Sequence, residues 1–160
     1  MGLATARLLA FRGASISLAD INEEGLKSAI ASLASDQEHM YTVMDVRNSE
    51  KVNDWIKCTI DKYGKLDGAV NMAGIITKAT PVKDLTDADW DFSFAVNTKG
   101  VFNCLRAQLN AMQDGGSIVS LHLIGPDIVR ADHRRRFPRP VSSANLVHLA
   151  TRHIAPLRPL

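Results

Sequence analysis

Three apolar runs in the first half of the chain each stop at an acid or an amide. Ile16 to Ala19 runs into Asp20, Met40 to Met44 into Asp45, and Leu66 to Val70 into Asn71. Between them lie helical patterns, with Leu3, Ala6, Leu9 and Ala10, then Leu26, Ile30 and Leu33, then Val52, Ile56 and Ile60 at helical spacing. Short apolar strands alternating with amphipathic helices predict an α/β fold, a parallel sheet covered on both faces. Gly13 is placed to close the first helix and Asn22 to cap the second. Thr86-Asp87-Ala88-Asp89 reads as a further helix start, which Phe94, Val101, Leu105, Leu109 and Met112 carry on toward Gly115, and Ser117 to Ser120 begins a fourth strand. With 160 residues, the chain has material for one domain, burying about 70% of the surface of its unfolded form.

Ligands of open parallel sheets bind at the carboxyl ends of the strands, so the residues that end the runs are the candidate site. Asn71-Met72-Ala73-Gly74 is a small-residue turn where backbone can approach a flat ligand closely. With Asp45-Val46 upstream and Val96-Asn97-Thr98-Lys99-Gly100-Val101-Phe102 downstream, the pattern resembles the short-chain dehydrogenase/reductase family over roughly residues 2 to 120. Members carry Asn-Asn-Ala-Gly at this strand end; Met72 replaces the second Asn.

The resemblance implies an NAD(P)-binding, Rossmann-type doubly wound sheet and hydride transfer between cofactor and a small hydroxyl or carbonyl substrate. It gives Asp20 the adenine ribose hydroxyls and Asp45 with Val46 the adenine. Asn71, Ala73 and Gly74 are to stabilise the sheet and lie along the cofactor, and Asn97 is to hold a water in the proton relay. A carboxylate at Asp20 repels a 2′-phosphate, and Ile21 follows it rather than an Arg, so NAD is expected over NADP. Read without the resemblance, Asp20 is an exposed strand-end acid capping the next turn, Asp45 a turn residue and Asn97 a solvated helix amide.

The departures are as specific as the matches. The family's glycine-rich turn joins its first strand to its first helix and presents N–H groups to the pyrophosphate. Here Gly2 stands where the last glycine of that turn is expected, with no strand before it. The absent strand is a central one, between those ending at Asp20 and Asn71, so two inner edges are expected to stand open unless strands shift to meet. Beyond Ser117-Ile118-Val119-Ser120-Leu121-His122-Leu123, Leu123 occupies the family's catalytic Ser position. The last Tyr is Tyr63 and the last Lys is Lys99, so no Tyr-x-x-x-Lys follows. Ser120, Ser142 and Ser143 have no base in sequence reach to activate them. Catalysis by the family's route is not expected of these residues.

Composition breaks at the same place. Through Ser120 there are 8 Lys, 4 Arg, 11 Asp and 4 Glu; after it, 7 Arg and 2 Asp, with five of the six Pro and four of the five His. The expected organisation is therefore a partial nucleotide-binding domain over 1–120 and a basic, irregular tail over 121–160, in which Val141 to Ile154 forms at most one short helix. His133-Arg134-Arg135-Arg136 with Arg139 could meet phosphates, but only Phe137 interleaves it, so nucleic acid is not an expected partner. His148 and His153 are five residues apart and share no helical face for a metal. Cys58 and Cys104 fall in separate helical patterns, giving no support for a disulfide framework and placing the chain in a reducing cytosol. No apolar run spans a bilayer, and Met1 precedes an amphipathic pattern rather than a signal sequence. Two functions remain open: an oxidoreductase whose record is altered after Ser120, as by a frame shift, or a non-catalytic binding module that pairs with itself or an intact homologue through the helix over 90–112.

Overall fold

A computed structural model describes residues 1–33, 36–76 and 81–121, and the backbone course of 146–150. In chain order the elements are α1 (Gly2–Phe11), β1 (Ser15–Asp20), α2 (Glu23–Ala31), β2 (Met40–Val43), α3 (Ser49–Tyr63), β3 (Gly68–Asn71), α4 (Asp87–Phe94), α5 (Val101–Ala111), β4 (Ser117–Ser120) and β5 (Leu146–Ala150). A π-helical turn, Ala95–Gly100, joins α4 to α5. The helix starts follow their capping residues. The Asn22 side chain accepts from the N–H of Gly25, Asn48 accepts from Glu50 and Lys51, and Thr86 and Asp89 form a reciprocal capping box. Helix α3 ends at Gly64, whose φ of 81° only glycine adopts cheaply.

The sheet order is β2-β1-β5-β3-β4. β1 and β2 are parallel, as are β3 and β4. Two expectations need correcting here. The slot between β1 and β3 does not stand open, and the tail segment around Val147 is not helical. β5 fills the slot, antiparallel to both neighbours, with Val147 opposite Leu18 on one side and Val70 on the other. A strand edge can pair in either direction, and two facing edges of buried N–H and C=O groups offer ladder bonds that a helix leaves unused. The sheet is therefore mixed, one antiparallel strand inside four parallel ones.

Both faces are covered, so β1 is buried at every position. Ile16 and Leu18 join Ala6, Ala10, Leu26 and Leu33 in a core under α1 and α2; Ala19 joins Val52, Trp55, Ile56, Cys104 and Ala107 in a second core under α3 and α5. Ser17 also faces this second core and is fully buried. Its hydroxyl accepts from Trp55 Nε1 at 2.8 Å and lies 2.9 Å from the Thr59 hydroxyl, which donates to the Trp55 carbonyl at 2.8 Å. The Thr59 proton being spent, Ser17 donates to Thr59, and this polar chain in the core is closed. His39 Nδ1 accepts the Ile16 N–H at 3.1 Å, and the Tyr63 hydroxyl donates to the Glu38 carbonyl at 3.1 Å, holding the entry to β2 against β1. Burial pushes that hydroxyl up to about 12.

Candidate nucleotide site

The end of β1 and the turns after β2 and β3 meet at one cleft, with a cavity volume of about 110 Å³. Ala19, Asp20 and Ile21 come from the end of β1; Met44, Asp45, Val46 and Arg47 from the turn after β2; Ala73, Gly74 and Ile75 from the turn after β3. Phe92 of α4 and Val96 of the π-helical turn complete the wall. A cavity of this size admits one flat ring, being smaller than the roughly 300–1,000 Å³ of a pocket that takes a whole ligand.

Asp20 is 9% exposed. Its Oδ1 accepts the Asn22 N–H at 2.9 Å, so the turn-capping role is real. Its Oδ2 is buried and has no hydrogen-bond partner. Burial raises the carboxyl's pKa above its ordinary value, against the lowering effect of the Asn22 and Ile21 N–H groups. The orphan oxygen is shut off from water too, so a ligand hydroxyl reaches it only if the carboxyl turns toward the cleft.

Asp45 is held differently. Its Oδ1 accepts the Arg47 N–H at 2.9 Å, and its Oδ2 accepts Arg47 Nε at 2.8 Å and Nη2 at 2.6 Å. These bonds keep its pKa below the ordinary carboxylate value. The next residue, Val46, is fixed from α5, where Asn103 Nδ2 donates to the Val46 carbonyl at 2.9 Å.

Gly100 lets the helix come this close. A Cβ there would lie 2.5 Å from Val46 Cγ2, a separation that side-chain carbons do not tolerate. Gly100→Ala is expected to push the Val46 turn outward and cost about 1–3 kcal/mol of stability; chemical denaturation of the two proteins measures it.

Three predicted positions lie off the cleft wall. Gly2 is buried in the first turn of α1. Asn71, 1% exposed, exchanges a pair of amide hydrogen bonds with Gln108 of α5 at 2.7 and 2.9 Å and donates to Ser120 Oγ at 3.2 Å, tying β3 to α5 and β4. Asn97 accepts the Ile75 N–H at 2.8 Å and donates to the Ile75 carbonyl at 2.9 Å. One N–H and one lone pair of its carboxamide thus hold the turn after β3. The π-helical turn, which adds a residue to the helical ring, is where this side chain projects. Ser142 and Ser143, the His133 to Arg139 cluster, Leu123 and His153 lie outside the described residues, and of His148 only the backbone in β5 is described.

Arg47, Phe92, Gln108 and Asn103 were not singled out from sequence. Arg47, two residues beyond the strand-end Asp45, carried a local signal. The others act through partners 37 or more residues away, Phe92 on Arg47, Gln108 on Asn71 and Asn103 on Val46, and carried none.

The family model described as enoyl-(acyl carrier protein) reductase matches residues 1–137. The chain belongs to the short-chain dehydrogenase/reductase family. The match extends past Ser120, where the motif resemblance stopped. A curated relative, the short-chain dehydrogenase/reductase aba4 of Botryotinia fuckeliana (strain B05.10), is 45% identical over 125 residues, covering 75% of this chain and 48% of its own. Among solved structures, levodione reductase superposes with a TM-score of 0.72 at 37% identity, covering 74% of this chain and 48% of that one. NAD⁺-bound xylitol dehydrogenase gives 0.72 at 35%, covering 74% and 47%. The chain thus spans about half the length of these family members. No helix among the described residues is long and apolar enough to cross a membrane.

Proposed function

We propose that residues 1–120 form the adenosine-binding part of an NAD-dependent oxidoreductase site, and that the 160 residues lack the groups that move the substrate proton. The observation that carries this reading is Asp20, a residue of the wall of a cleft sized for one flat ring, whose Oδ2 is buried behind that wall without a hydrogen-bond partner. A buried acceptor without a donor is costly, and a ribose hydroxyl is the donor its position invites. Its negative charge disfavours a 2′-phosphate, hence NAD over NADP. Ala73, Gly74 and Val46 supply a slim apolar wall for the base, and Asp45 an acceptor for its amino group. Bound NAD would supply the hydride acceptor for oxidation of a small hydroxyl substrate. The residues present bind and orient its adenosine end. With Leu123 at the family's Ser position, and no Tyr after Tyr63 or Lys after Lys99, none is in place to take the hydroxyl proton. The tail over 121–160 is a separate compositional unit that contributes β5, and the cytosol is the compartment proposed.

Titration with NADH and NADPH, followed by fluorescence of the reduced nicotinamide, tests this directly. Saturable NADH binding at least tenfold tighter than NADPH is expected, with no hydride transfer to or from a panel of alcohols and ketones. Tighter NADPH binding refutes the cofactor preference, binding of neither refutes the nucleotide reading, and turnover refutes the missing-relay reading.

A second reading, self-association through the helical region over 90–112, rests on its exposed apolar side chains: Trp90 at 59%, Phe94 at 46%, Phe102 at 55% and Leu109 at 66%. Trp90 and Phe94 stack with centroids 4.4 Å apart. A monomer by light scattering at micromolar concentration would rule it out.

A further inference from the structure

The geometry points to Arg47 as a positioning residue that sets the base specificity of the cleft, fixing Asp45 so that it selects a purine bearing a 6-amino group over one bearing a 6-oxo group. The inference rests on the nucleotide reading above and adds a residue and a selectivity to it. An ionised carboxylate only accepts hydrogen bonds, at about four lone-pair sites. Three Arg47 N–H groups occupy three of them: the backbone N–H on Oδ1 and both Nε and Nη2 on Oδ2. One acceptor direction is left, and its orientation is set by the planar guanidinium fork.

Arg47 also reaches α4. Its guanidinium carbon lies 4.9 Å from the centroid of the Phe92 ring, within cation–π range. Asp45 and Phe92 both line the cleft, so one side chain ties the acid that reads the base edge to an aromatic ring of the cleft wall. Both charged partners remain partly exposed, at 44% for Arg47 and 35% for Asp45. Surface ion pairs of that exposure add little to stability, so the function of the pair lies in orientation. A fixed acceptor gains a hydrogen bond from a 6-amino group and faces a lone pair from a 6-oxo group. An acceptor free to swing into water does neither.

The test compares NADH with reduced nicotinamide hypoxanthine dinucleotide, which differ at that position of the base, in the full chain and in Arg47→Ala and Arg47→Lys. Fluorescence of the reduced nicotinamide reports the Kd of each pair, and far-UV circular dichroism reports the fold. The parent chain is expected to favour NADH about tenfold, the scale of one hydrogen bond to a charged group. In Arg47→Ala the ratio falls to between one and two. In Arg47→Lys it stays below threefold, since an ammonium keeps the charge but not the fork.

A folded Arg47→Ala, or a folded Arg47→Lys should the alanine variant not fold, that retains the parent's ratio overturns the inference while leaving nucleotide binding intact. A parent chain that binds both dinucleotides equally also overturns it. If the parent binds neither, the nucleotide reading itself has failed and this inference falls with it.

Discussion

A chain cut after Leu121 is expected to lose its cooperative unfolding transition. β5 is the strand that joins the β2–β1 pair to the β3–β4 pair, with five register positions against β1 and three against β3. With β5 in place β1 is buried throughout, and removing β5 leaves the N–H and C=O groups of both facing edges without their ladder partners. Net hydrogen-bond contributions run about 0.5–1.5 kcal/mol each, and a buried group left unpaired costs about 1–3 kcal/mol. Summed along both edges, the loss is comparable with the roughly 5–15 kcal/mol that hold a domain together. Val147→Pro makes the same point within the full chain. Val147 pairs with Leu18 and Val70 at once, and proline in a central strand removes a ladder donor. Urea denaturation followed by tryptophan fluorescence should show a broad, weakly sloped curve for both proteins. A sharp transition near that of the parent would show that the sheet does not depend on β5.

Asp20→Asn is expected to move stability and affinity in opposite directions. The folded-state pKa of Asp20 is raised above the usual 3.8, chiefly by burial. The folded protein therefore holds this proton more tightly than the unfolded chain. The carboxyl's favourable contribution is fully present at pH values below the unfolded pKa, declines as pH rises through the raised folded value, and stays lost above it. Asparagine keeps the acceptor for the Asn22 N–H and carries no charge, so the variant should unfold at a higher temperature than the parent at pH 7, with the difference shrinking toward pH 3. Its affinity for NADH should fall by about 10- to 100-fold, the scale of a hydrogen bond to a charged group. Thermal melts across pH and one binding titration decide it. A variant that loses affinity without gaining stability would mean that the carboxylate is not strained in the free protein.

How far the sequence revealed the fold depends on where the forces act. Helix starts rest on local hydrogen bonds, and Asn22 and Thr86 with Asp89 marked them correctly because cap and partner lie within three residues. The strand ends at Asp20, Asp45 and Asn71 were legible from short apolar runs. That the turns at these ends share a cleft followed from the rule that parallel strands present their carboxyl ends together, although Asn71 itself faces α5 and β4. Asn97 was found by pattern, but its bonding to Ile75 depends on the π-helical turn, which has no sequence signal of its own. β5 was hidden for a different reason. Its five residues sit among prolines and arginines that argue against regular structure, and they pair with strands far back in the chain. A long-range edge needing a partner outweighs local propensity, and a sequence window does not see that edge.

The position of β5 also sets a timetable for folding. The middle strand of the sheet is the last described element in chain order, pairing residue 147 with residue 18. During synthesis β1 through β4 emerge first as two separate ribbons, each with an unpaired edge. Contacts of such sequence separation form slowly, because loop closure precedes any gain from pairing. For the seconds that translation takes at about 5–20 residues per second, those edges are open to other chains. Yield in the cell should therefore respond to chaperone supply and to slowed elongation more than the final stability of the folded chain would suggest.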